Sequence, residues 1–82
     1  MNLVLNERLL RTYRTVFHSL GEFVDENWGP DEIPEWDSIN HLNLVLALTE
    51  EFGITLDLDE ILMMETLRDI QQIVEQKLGM EN

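Results

Sequence analysis

Apolar residues near the start of the chain recur at a helical interval: Leu9, Tyr13, Val16, Phe17 and Leu20 fall at i, i+4, i+7, i+8 and i+11, with Arg8, Arg11 and Arg14 off that face. The spacing predicts a first helix over about residues 3–19, with Gly21 as its C-cap. Residues 21–36 break the period with Gly29, Pro30 and Pro34. They keep Phe23, Val24, Trp28, Ile33 and Trp36, so this long connection is predicted to be an anchored loop, with both tryptophans as anchors. Asp37 is a good N-cap for a second helix running to Phe52, and Gly53 suits the left-handed position beyond it. At about 100° per residue this helix carries two apolar stripes: Leu44, Val45, Leu48 and Phe52 on one side, Ile39, Leu42 and Leu46 on the other. One stripe belongs to a core. The other must meet another helix, pack against Trp28, Ile33 or Trp36 of the loop, or lie exposed as a binding surface.

Two capping boxes follow. Asp57 with Glu60 opens a short third helix through about Met63, and Thr66 with Asp69 opens a fourth that carries Leu67, Ile70, Ile73, Val74 and Leu78. Lys77 near its end and Gly79 beyond it are stop signals. The expected fold is all-α: a four-helix bundle with a long loop between helices 1 and 2 and a short third helix. Residues 1–82 form a single domain, with no internal repeat and no low-complexity tract.

Charge narrows the partners. The 82 residues hold 17 acids against 5 bases, a formal charge of -12. Residues 1–23 are net +1 and residues 24–82 net -13, since only Arg68 and Lys77 offset the acids there. Such a chain lacks the footprint for nucleic acid or anionic lipid and points to basic protein partners. No apolar run approaches a membrane span, and no charged-then-apolar leader opens the sequence. A cytoplasmic monomer is the expectation. There is no cysteine, which removes a disulfide framework and a thiolate nucleophile.

Candidate chemistry thins out in the same way. His18 and His41 have no metal-ligand spacing around them, and the Asp57, Asp59, Glu60 cluster fails as a calcium loop because Leu62 and Arg68 hold its sixth and twelfth positions. No metal site is expected. His41 follows Ser38 by one turn, but a serine on a helix start has neither the strained elbow nor the oxyanion donors of a hydrolase. Ser38 itself remains. Directly after the Asp37 cap, it projects from a helix N-terminus, where unpaired amides and the positive dipole end suit an attached phosphate ester. Read from those two residues alone, Asp37 and Ser38 are more simply ordinary capping residues.

The surrounding stretch gives the pair more meaning. Trp36-Asp37-Ser38-Ile39, then Leu42, Leu44 to Leu48, then Glu50-Glu51-Phe52-Gly53-Ile54, resembles the signature of acyl carrier proteins. In that family an Asp-Ser-Leu motif opens the second helix and an acidic-acidic-Phe segment closes it. Asp59, Glu60, Thr66, Leu67, Asp69 and Ile70 continue the resemblance at the family's spacing, so residues 36–78 are covered well and 1–35 only in general layout. The resemblance implies a four-helix bundle of acyl carrier type, a non-enzyme in which 4'-phosphopantetheine from coenzyme A is esterified to Ser38. It assigns Asp37 a role in positioning that serine, and places partner contacts at Ile39, Leu42, Leu46, Glu50 and Glu51, with Met64 at the end of the third helix. Implied partners are a phosphopantetheinyl transferase and an acyl- or aminoacyl-activating ligase, an acyltransferase or a condensing enzyme. Asn40, Asn43 and Thr49 stand where fatty-acid carriers have acids, and Trp36 where they have a small residue. These departures point to a specialised stand-alone carrier. The alternative from another class is an unmodified acidic helical adaptor that binds a basic protein surface.

Overall fold

A computed structural model describes residues 3–21 and 23–79, with side chains described from Glu7 onward. Four helices and no strand occur among the described residues: α1 (Leu3–Val16), α2 (Ser38–Phe52), α3 (Leu58–Leu62) and α4 (Leu67–Lys77). No helix among them is long and apolar enough to cross a membrane.

The caps are made by neighbouring residues. Asp37 accepts from the Asn40 amide at 2.8 Å to start α2, and Gly53 ends it at φ 63°, its N–H on the Thr49 carbonyl. Both capping boxes form, Asp57 with Glu60 and Thr66 with Asp69, each satisfying two amides that a helix start leaves bare. Caps of this kind stabilise a helix end by about 0.5–2 kcal/mol. That matters most for α3, whose five residues include none that is buried.

Packing comes from three faces. Leu9, Tyr13 and Phe17 at the α1 end, Leu44, Leu48 and Phe52 of α2, and Leu67, Ile70 and Val74 of α4 bury against one another, together with Ile33 and Trp36 from the loop. At about 1.5–3 kcal/mol for each large side chain, this burial outweighs the caps and holds the bundle. Tyr13 is sealed in with it, its hydroxyl donating to the Leu67 carbonyl at 3.2 Å. Burial drives its phenol pKa far up.

The long loop is stitched to α4 through backbone groups. The Leu67 and Arg68 amides, among the first of α4, donate to the carbonyls of Trp28 (3.0 Å) and Glu26 (2.7 Å). This closeness requires glycine at position 29: a Cβ there would lie 2.4 Å from the Glu65 carbonyl oxygen. Arg8 makes the corresponding fastening between α1 and the end of α2. Its guanidinium pairs with Glu51 at 2.8 Å, donates to the Glu51 carbonyl and lies 4.5 Å over the Phe52 ring.

One boundary differs from the sequence expectation. α1 ends at Val16, not near residue 19, and Gly21 is not a left-handed cap; positive φ among the described glycines belongs to Gly53 and Gly79. The cause lies in the loop. Glu35 accepts from the amides of His18 (3.1 Å) and Ser19 (2.8 Å) and from the Ser19 hydroxyl (2.7 Å), so these amides leave the helical ladder. Gly21 serves instead as a carbonyl acceptor for the Arg14 guanidinium.

Gly29→Ala should lower stability by about 1–3 kcal/mol in urea denaturation, because backbone must move to admit the methyl. Gly21→Ala, with open space around it, should be neutral or stabilising by up to about 1 kcal/mol. The Ser19 hydrogen bonds, aided by that from His18, hold the Glu35 carboxyl below its ordinary pKa. A depressed carboxyl contributes stability that is complete above its ordinary range and disappears as pH falls through the folded-state value. The melting temperature of Glu35→Gln should therefore trail the native protein at neutral pH and converge with it in acid.

Candidate functional site

Ser38 is the first residue of α2, exposed, with Asp37 before it turned back onto the Asn40 amide. No described residue hydrogen-bonds its hydroxyl, and none accepts from the amides of Ser38 and Ile39. A nucleophilic oxygen thus stands in solvent at the positive end of a helix of 15 residues, beside donors free to meet an anion.

An open groove of about 730 Å³ runs from this point between α2 and α3, lined by Asp37, Ser38, His41, Leu42, Ile61 and Met64 among others. Trp36 closes its inner side. The indole is 5% exposed, packs 5.4 Å from the Phe17 ring and lies nearly parallel to the His41 ring, 16° between planes. Its Nε1–H donates to His41 Nδ1 at 2.9 Å, while His41 Nε2 lies 2.9 Å from the Ile61 carbonyl. An indole N–H can only donate and a carbonyl can only accept, so this pattern fixes the neutral imidazole with its proton on Nε2. Both nitrogens are engaged, and neither is directed at Ser38. His41 is a tie between the loop, α2 and α3. A second groove, of about 420 Å³, lies between α1, the loop and α4 near Leu9, Phe23 and Leu67, without Ser38.

The outer stripe of α2 is open to solvent. Ile39, Leu42 and Leu46 are 73, 59 and 62% exposed, while Ile33 and Trp36, which the alternative would have packed against them, sit in the core. Leu58, Leu62 and Met63 extend this apolar surface onto α3 and past its end. Three exposed large residues there carry no helix-face signal, since α3 is too short to show a period. Met64 is the correction: it is 3% exposed and packs in the core, and Met63 takes the exposed place. The chain turns at Met63, whose N–H reaches back to Asp59 and Glu60, and the next side chain swings inward.

Glu50 is exposed, but Glu51 is half-buried and paired with Arg8, so the acidic edge at the end of α2 is thinner than the sequence suggests. Glu60 is likewise occupied, by Lys77 at 2.9 Å and by its capping box. Asn40 and Asn43 bond locally: Asn40 Nδ2 donates to the Glu35 carbonyl and Asn43 Nδ2 to Asn40 Oδ1. Among the described residues no cluster of three or more His, Asp or Glu could hold a metal ion.

No family model, no curated protein and no solved structure matches this chain.

The two faces of α2 generate a paired test. Leu46→Asp should leave the far-ultraviolet spectrum and the melting temperature nearly unchanged, within about 0.5 kcal/mol. Leu48→Asp places an unpaired carboxylate where the native side chain has no exposure, and should unfold a domain of about 5–15 kcal/mol total stability. Equal damage from both would show that the outer stripe is part of the core.

Proposed function

We propose that this chain is a carrier protein and not an enzyme, holding acyl or aminoacyl groups as thioesters on a 4'-phosphopantetheine arm attached to Ser38. The observation that carries the reading is the exposed, unbonded Ser38 hydroxyl at the N-terminus of α2, within the Asp-Ser-Ile motif and beside an apolar groove. In the loading step Ser38 Oγ attacks the β-phosphorus of the coenzyme A pyrophosphate. A phosphodiester forms, and adenosine 3',5'-bisphosphate leaves. The serine proton passes to a base on the transferase, because His41, the nearest imidazole in the chain, has both nitrogens committed. The new phosphate sits where the helix dipole and the Ser38 and Ile39 amides favour negative charge. Asp37 caps the helix that presents the serine, and its carboxylate would help position the metal-bound coenzyme A of a transferase.

Cargo chemistry then belongs to the arm's thiol, which a chain without cysteine does not supply. Partner enzymes, an activating ligase, an acyltransferase or a condensing enzyme, would grip Ile39, Leu42 and Leu46 with Met63 in place of Met64. Glu50 adds charge at the rim. A second reading is favoured by the same surface: six exposed large apolar side chains from Ile39 to Met63 on an acidic chain also suit an unmodified adaptor for a basic, partly apolar protein.

Incubation with coenzyme A, magnesium and a broad-specificity phosphopantetheinyl transferase should add one phosphopantetheine mass to the native protein and none to Ser38→Ala. An unchanged intact mass, with a known carrier modified in the same tube, selects the adaptor.

A further inference from the structure

Carriers of apolar cargo face a physical problem: an alkyl chain on a tethered thioester is exposed to water unless the protein shelters it. From Ser38 the direct way inward runs between α2 and α3, and here it is blocked. Trp36 fills the space beneath the groove, wedged on Phe17, and its N–H is tied to His41. The His41 bond to the Ile61 carbonyl then holds α3 against α2 at that level. Behind this barrier Phe17, Leu44, Ile70 and Val74 have no exposure, and Met64 has almost none. For a chain to enter, the indole and imidazole would have to give up both hydrogen bonds, leaving buried polar groups unpaired.

Resting on the carrier reading above, we propose that Trp36 is a cargo-excluding plug, and that the acyl groups this protein carries are short or polar ones that gain nothing from interior burial. Amino-, hydroxy- or short-chain acyl groups fit this condition; long aliphatic chains do not. Trp36 thereby sets specificity without touching the reacting thioester. His41 acts as a positioning residue that keeps the indole in place. The rest of the groove is open and gives a long chain only one-sided contact.

The experiment loads the native protein with phosphopantetheine arms bearing acetyl, butyryl, octanoyl and dodecanoyl thioesters, using the corresponding acyl-coenzyme A analogues and a permissive transferase. Intact mass verifies loading, so a failure to load counts against the carrier reading and not against the plug. On the loaded series the melting temperature should stay within about 2 °C of the free-thiol form at every length, and tryptophan emission and the Trp36 indole N–H resonance should not move. Trp36→Leu should gain stability stepwise from butyryl to dodecanoyl, as chains enter the vacated space. A melting temperature of the native protein that climbs with chain length overturns the proposal. So does a displaced Trp36 indole resonance in the octanoyl form. These readouts on the native protein decide the matter even if Trp36→Leu fails to fold.

Discussion

The Trp36 indole holds this small bundle in one arrangement. Its ring is buried against Phe17 beyond the end of α1, its N–H bonds to His41 in the first turns of α2, and His41 passes the connection to the Ile61 carbonyl in α3. A single aromatic side chain from a loop thus links the turn after α1 to α2 directly and to α3 through His41. Its energetic basis is area burial together with a satisfied donor; a buried indole without a partner would lose a good part of what it gains. Because Trp36 directly precedes the Asp37 cap, the same contact sets where α2 begins and so where Ser38 stands.

The loop is structural over much of its course. Trp28 and Glu26 lend carbonyls to the first amides of α4, Gly29 allows the Glu65 carbonyl to come close, and Glu35 ends α1 by taking the amides of His18 and Ser19. A helix start normally leaves its first amides, such as those of α4, to solvent or to local side chains. In this domain a distant segment satisfies them. The core is correspondingly economical: α3 contributes no buried residue and is held by its capping box, by the His41 tie and by the Lys77–Glu60 pair.

Charge is placed with equal specificity. The arginine of α1 nearest the α2 terminus neutralises Glu51, Arg68 meets Glu26, and Lys77 meets Glu60. Each exposed pair is worth only about 0.2–1 kcal/mol, so their effect lies less in stability than in which acids remain for a partner. Glu50, Asp57 and Asp59 stay exposed beside an apolar surface. In the carrier reading, that leaves apolar contact as the main source of docking energy and charge as the source of approach.

The elements themselves were legible in the sequence because their determinants are local. Asp37 and Asn40, Asp57 and Glu60, Thr66 and Asp69, and Gly53 each act within about one turn of the chain, and the two stripes of α2 follow from helical period alone. Ser38 could be located in the same way, as the residue after a cap. What only the tertiary structure decided are features made by residues far apart in the chain. Glu35 and not Gly21 ends α1, Arg8 takes Glu51 from 43 positions away, and the two nitrogens of His41 face Trp36 and Ile61 instead of Ser38. Met63 and Met64 show the limit most plainly. They are adjacent and chemically identical, just past a helix too short to impose a period, and only the path of the backbone there sends one to solvent and the other into the core.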